Sequence, residues 1–221
     1  MKNLFSSIFL ITFLSSCVST QTLTLSGSDS LFLKEKTITI THSKKPSFSE
    51  VTVGKMFAAI LVVPAGVAWI IHDGNKLIRE NNVDDPATII SNNLADKLRN
   101  NYKSKIVDEK EVMDSGISVE EMSDRYRNSS DYVLDVRTIN WSLNYAQYSF
   151  DMYHTLYSSK LRLIDVKTKK IVAEGFCPSQ TINPQSYNWY TKDNAAALKD
   201  VLKNLASYCT SSLGKSVFRF E

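Results

Sequence analysis

Residues 157–177 read YSSKLRLIDVKTKKIVAEGFC, and their pattern decides the kind of fold to expect. Residues 157–166 and 170–177 are rich in branched and aromatic side chains and are parted by the polar run Lys167-Thr168-Lys169. That is the signature of two antiparallel strands joined by a short turn. Upstream, residues 131–141 (DYVLDVRTINW) alternate Tyr132, Leu134 and Val136 with Asp131, Asp135 and Arg137, as a strand with one buried face does. The charged side of that strand reads as a solvated ion-pair surface; a working carboxylate pair is the competing reading. Downstream, residues 194–215 carry Ala195, Leu198, Leu202, Leu205, Cys209 and Leu213 at three- and four-residue spacing, the inward stripe of a closing helix.

Further out, Asp85-Pro86 opens a helix with an N-cap followed by proline in the first turn, and Ala87, Ile90, Leu94 and Leu98 form its apolar face. Ser118-Val119-Glu120-Glu121 is a capping box flanked by Ile117 and Met122 at the staple positions, so a short helix follows. Residues 36–42 (KTITITH) alternate as a strand, and residues 105–107 suggest another. The order implies an α+β fold: an antiparallel-rich sheet with helices packed on one face and a closing C-terminal helix. Residues 56–71 (MFAAILVVPAGVAWII) fall short of the ~20 residues a membrane span needs. Pro64 is expected to divide them into two short buried segments around a bend; membrane contact or an oligomer interface is the other reading.

The chain opens with Lys2, an uncharged apolar run at residues 4–14, and Leu14-Ser15-Ser16-Cys17. The run is too short to span and fits the core of a secretory leader. Its end resembles the lipobox of bacterial lipoproteins, which implies cleavage before Cys17 and acylation (a palmitate-type chain) of its sulfur and new N-terminus. Two or three such chains anchor stably where one is marginal. Val18 stands where an aspartate retains enterobacterial lipoproteins in the inner membrane, so the resemblance implies the outer membrane with the domain in the periplasm. Residues 1–16 are then a signal peptide, 17–34 a lipidated tether rich in serine and threonine, and 35–221 a single domain.

The 221 residues carry a formal charge of +3, with 43% apolar residues. That is ample for one real core, and the scattered lysines lack the concentrated basic face of a nucleic-acid binder. With Cys17 acylated, Cys177 and Cys209 form an even pair in an oxidising compartment, which predicts a disulfide worth roughly 3–4 kcal/mol.

Motifs that carry chemistry do not emerge. Residues 213–216 (LGKS) imitate a phosphate loop, but Cys209 stands where the first glycine belongs. His42, His72 and His154 lack ligand spacing, and no G-x-S-x-G occurs. No metal, no cofactor and no enzymatic activity is expected. Residues 141–157 are rich in aromatics: Trp141, Tyr145, Tyr148, Phe150, Tyr153 and Tyr157. They read either as a partner-binding surface or as a lid over the sheet.

The segments DYVLDVRTINW, KLRLIDVKTKKIVAEGFC and NAAALKDVLKNLASYC resemble a family of uncharacterised proteobacterial lipoproteins, over roughly residues 84 to 213. Members carry the same cysteines near the last strand and in the final helix, and often a glycine in the turn that here reads Lys167-Thr168-Lys169-Lys170. The element order is similar to the periplasmic domains of CsgG, PelC and the N-terminal part of TolB, a likeness of fold alone. The reading is a membrane-anchored envelope lipoprotein acting as a non-catalytic interaction or assembly module with an envelope protein partner. The alternative is an oligomeric pore or collar component of a secretion or polysaccharide export system.

Overall fold

The Thr/Ile alternation of residues 37–43 becomes the first strand of a mixed sheet in a computed structural model that describes residues 22–25, 29–51, 63–146, 149 and 151–220. In chain order the elements are a one-turn helix α1 (Asp29–Phe32), strands β1 (Thr37–Ser43) and β2 (Ser49–Val51), and helices α2 (Val63–Glu80) and α3 (Pro86–Tyr102). Then come strand β3 (Lys105–Met113), helix α4 (Val119–Tyr126), strands β4 (Tyr132–Tyr145), β5 (Met152–Asp165), β6 (Lys170–Gln180) and β7 (Gln185–Ser186), and helix α5 (Tyr187–Phe218). The strands lie in the order β3-β1-β4-β5-β6, with β2 beside β4 and β7 beside β5.

The predicted hairpin is present: β5 and β6 pair antiparallel, as do β4 and β5. Its turn places Lys169 at φ 55°, the left-handed region where a glycine would avoid a cost of roughly 1–2 kcal/mol. The other half of the sheet corrects the antiparallel expectation. β1 runs parallel to both β3 and β4, because the chain returns to each through helices, and a crossover brings it back to the same end. The outer edge of β3 reads KIVDEKEVM and is largely exposed, with Lys105, Asp108, Glu109, Lys110 and Glu111 along it.

Helices also lie on both faces, where one was expected. The main core packs Ile90, Leu94 and Leu98 of α3 and Leu198, Leu202 and Leu213 of α5 against Leu134, Val136, Leu161, Leu163 and Ala173 of the sheet. On the reverse face Met122 and Tyr126 of α4 join Met113, Val133, Ile164 and Val166 in a smaller cluster. The cause is local. Val133 and Ile164 alternate onto the reverse face and need cover, which α4 supplies from the capped start at Ser118, whose hydroxyl accepts from Glu121 N.

A bulge in β4 sets the later register. Thr138 pairs with Ser159 but Asn140 with Ser158, so Ile139 is the extra residue. Strict alternation would send Trp141 to the reverse face with Asp135; the extra residue returns it to the core face with Leu134 and Val136.

The proline expected to split residues 56–71 instead stands in the first turn of α2, which continues through Gly66 to Glu80. There its missing N–H breaks no helical bond. Residues 56–62 lie outside the described residues. At Gly74, α2 crosses the chain entering β2 so closely that an added Cβ would lie 2.3 Å from the Phe48 carbonyl oxygen. Helix propensity alone favours alanine there by about 1 kcal/mol, whereas overpacking costs typically 1–3 kcal/mol and a backbone oxygen cannot swing away. The Gly74→Ala variant is therefore expected to be less stable by about 1–2 kcal/mol in chemical denaturation. An unchanged midpoint would show that α2 is free to lift.

Helix α5 starts before the predicted residue 194. Ser186 caps it, and a first turn is separated from the rest by Asp193, Asn194 and Ala195 at φ 52°, 55° and 55°. The break tucks fully buried Tyr190 under the sheet, where its hydroxyl donates to the Tyr153 carbonyl at 3.2 Å.

Candidate functional site

Trp141, Tyr153 and Tyr157 of the aromatic segment are core, which for these three corrects the reading as a partner surface and agrees with the reading as cover for the sheet. Trp141 and Tyr157 are each 1% exposed and Tyr153 is 5% exposed. Trp141 Nε1 donates to the Pro46 carbonyl at 2.9 Å, and its ring stands edge-on to Phe48 with centroids 5.3 Å apart. Tyr153 stands edge-on to Tyr187 at 5.9 Å. Tyr145 is half-buried, and Tyr148 and Phe150 lie outside the described residues. The β4 bulge turns Trp141 inward, and Tyr153 and Tyr157 face the core through the plain alternation of β5 with Leu161 and Leu163.

What the fold leaves open instead is a cleft at the carboxyl ends of β1 and β3, of about 620 Å³. The chain leaving β1 supplies His42, Lys44 and Lys45; the start of α3 supplies Asp85, Ala87 and Thr88; Val112 and Val136 add apolar wall. Asp85 is there because the sequence caps α3: its Oδ1 accepts from Ala87 N at 2.9 Å and from the Thr138 hydroxyl. Thr138 Oγ1 also lies 3.2 Å from the Tyr157 hydroxyl. His42 Nε2 lies 2.7 Å from Asp108 Oδ1, Lys44 Nζ donates to Asp114 Oδ1 at 2.7 Å, and Lys45 Nζ donates to the Val83 carbonyl at 3.0 Å. Lys45 also stands 5.6 Å from the centre of the Trp141 ring, a cation–π distance.

Burial pushes the Asp85 carboxyl above the ordinary aspartate range, only partly opposed by the bonds from Thr138 and Ala87 and by the charges of Lys45 and His42. Burial likewise raises the Tyr157 phenol, which stays a neutral hydroxyl. The bond from Lys110, then that from His42, hold exposed Asp108 below the ordinary range. The charged groups at the rim and His42 are thus bonded within the domain, with Asp85 serving the helix start, while the Ser43 hydroxyl on the cleft wall has no partner among the described residues. The arrangement suits holding a partner group with an apolar body and polar edge better than moving protons.

Asp85 gives a testable pH dependence. A carboxyl whose folded pKa is raised takes up its proton in the folded state first. Its destabilising effect is therefore full above that raised value and fades as pH falls from it toward the ordinary one. Asparagine caps about as well as aspartate. Asp85→Asn is expected to melt at or above the wild-type temperature at neutral pH, with the two curves converging on acidification. A variant that loses stability equally at every pH would contradict this.

The charged face of β4 is not solvated as expected. Asp135 is fully buried, its Oδ1 accepting from Arg137 Nε at 2.8 Å and its Oδ2 from Arg162 Nε at 2.9 Å and Nη2 at 2.7 Å. Thr41 Oγ1 adds a contact at 3.4 Å. Asp131 is not part of this group: it precedes β4 and binds Thr37 N at 2.9 Å and Lys36 Nζ at 3.1 Å. Both roles are structural.

Cys177 of β6 and Cys209 of α5 are joined, with Cα atoms 5.6 Å apart. Cys17 lies outside the described residues. Residues Leu23 and Leu25 are integrated into the domain: Leu23 exchanges both main-chain bonds with Glu174 at 2.9 Å, and Leu25 N donates to the Val217 carbonyl at 2.8 Å. Thr24 Oγ1 donates to the Ser216 carbonyl at 2.8 Å. Among the described residues no cluster of three His, Cys, Asp or Glu side chains is placed to hold a metal, and no helix is long and apolar enough to cross a membrane.

No family model and no curated relative matches the sequence. Solved structures similar in layout include the LpoB C-terminal domain from Salmonella enterica, at 16% identity over 67% of this chain and 84% of that one, with a TM-score of 0.34. A lipoprotein from Neisseria meningitidis, GNA1162, is 14% identical over 82% of this chain and 99% of that one, with a TM-score of 0.31. The PelC dodecamer from Paraburkholderia phytofirmans is 11% identical over 79% and 86%, with a TM-score of 0.30. Scores at this level transfer no role and no residue.

The sequence reading missed the cleft because its residues come from four separate segments. The one local signal was Asp85-Pro86, read only as a cap, while Lys44 and Lys45 count among the scattered lysines.

Proposed function

We propose that this chain is an envelope lipoprotein, acylated on Cys17 and held at the outer membrane, whose periplasmic domain is a non-catalytic docking module for an envelope protein. The observation that carries this reading is the junction of tether and domain. Leu23, Thr24 and Leu25, six to eight residues beyond Cys17, are bonded to β6 and α5, so an anchor on Cys17 is tied to the rigid sheet through a short link. The lipobox-like Leu14-Ser15-Ser16-Cys17 and the resemblance of residues 84–213 to proteobacterial lipoproteins support it. The cleft's charged rim groups, engaged within the domain, and the unpartnered Ser43 hydroxyl on its wall support a holding role, and a partner's side chain is assigned there.

The Cys17→Ser variant tests the anchor. Each acyl methylene buried in lipid contributes ~0.8 kcal/mol, so the wild type is expected in the membrane pellet with an intact mass carrying two or three chains. The variant is expected in the soluble fraction without them, and equal partitioning of the two would overturn the reading. Crosslinking in intact cells is expected to capture one stable protein through Lys44 or Lys45. A ring-sized particle of this chain alone in detergent would favour the pore or collar component instead.

A further inference from the structure

We propose that the rim formed by the end of β6 and the adjoining face of α5 rests on the lipid surface, with Ile182 and Tyr208 entering its headgroup region. This deepens the reading above and rests on acylation of Cys17.

The first argument is reach. Six residue steps separate Cys17 from Leu23, and an extended chain advances at most ~3.3–3.6 Å per step, so the acylated sulfur lies within about 20 Å of Leu23. Leu23 is fixed in place by its two bonds to Glu174, and Leu25 is buried. The bridge is antiparallel, so the chain reaches Leu23 from the Phe176 side. The end of β6 nearest the bilayer is therefore the one running to Gln180.

The second argument is what that end exposes. Ile182 is 91% exposed and Tyr208 59% exposed. Both flank the last residues of β6. Tyr208 adjoins Cys209, whose sulfur is bonded to Cys177 and lies 3.7 Å from Ser179 Oγ. Ile182 follows Thr181, whose N–H donates to the Thr155 carbonyl at 3.0 Å. An exposed tyrosine settles at the level of the headgroups, and an exposed isoleucine at the acyl boundary just beneath.

The third argument is charge. No charged residue occurs between Glu174 and Lys192, so the strand side of the rim can approach lipid without desolvating an ion. On the helix side α5 passes from Cys209 beside Ser179 to Val217 beside Gly175, so Lys215 and Arg219 lie away from the Gln180 end, and Lys203 with Asp200 lies toward it. The opposite edge, β3, carries acids and bases alike and lies four strand spacings away, about 19 Å.

The test uses the full lipidated protein in vesicles of phosphatidylethanolamine and phosphatidylglycerol. A fluorophore is placed at Ile182→Cys or, as the distal control, at Val107→Cys on β3. Each variant offers one free thiol, the other cysteines being acylated or bonded to each other. A quencher carried on the lipid chains is expected to quench the label at 182 several-fold more than that at 107. Equal quenching, or more at 107, would overturn the orientation. Intact mass of the same sample separates the two failures. An acylated protein with an unquenched 182 label sinks this inference alone, and an unacylated one sinks the lipoprotein reading as well.

Discussion

Replacing Asp135 with alanine is expected to lower the unfolding free energy by about 3–5 kcal/mol. The carboxylate is fully buried and holds two guanidinium groups whose side chains are only 12% and 15% exposed. Removing it leaves Arg137 and Arg162 facing each other across neighbouring strands with no counter-charge, and that loss dominates the outcome. The attraction itself contributes less, because all three groups give up water to meet. A triple replacement by apolar residues of similar size, Asp135→Leu with Arg137→Met and Arg162→Met, is therefore expected to recover most of the lost stability. Urea denaturation of the single and triple variants decides the matter. A single variant within ~0.5 kcal/mol of wild type would mean that the arginines reach solvent freely.

Removing the disulfide is the other large effect. Cys177 and Cys209 are 32 residues apart in sequence, and releasing a loop of that size adds unfolded-state entropy worth roughly 3–4 kcal/mol. Both positions are buried against the β6–α5 contact, so the paired change to alanine also sacrifices some packing. The double variant is expected to unfold at markedly lower denaturant, and wild type under reductant should approach it once opened. If reductant leaves the transition in place while the alanine pair shifts it, packing rather than the cross-link is the source of the stability.

How far the fold was legible depends on the range of the forces involved. The caps at Asp85 and Ser118 were readable because a capping side chain reaches only two or three residues along the chain. The stripe Leu198, Leu202, Leu205, Cys209 of α5 was readable because a helix repeats its own geometry. The parallel pairing of β1 with β3 and β4 was not, since it depends on which way two crossovers pass over the sheet. The fates of Trp141 and Asp135 were hidden for two different reasons. A strand's two-residue period survives only until a bulge, and Ile139 is an unremarkable residue that gives no warning of one. Nor does alternation reveal that the chain after β3 folds over the charged face, where Arg137 donates to the Ser115 carbonyl. The cleft was illegible for want of any single segment that contains it.

The charged border at β3 bears on how such molecules meet at high local density. A bare strand edge of branched residues invites a neighbour to add its own strand, and repetition of that step leads to fibres. Here a newcomer's backbone would have to settle among lysines and acids that lose their water without gaining partners. On the far border, Leu23 already occupies part of β6. The sheet is thus guarded by charge at one margin and interrupted by Leu23 at the other, which disfavours extending it from molecule to molecule and leaves helices and loops as the surfaces for any larger assembly.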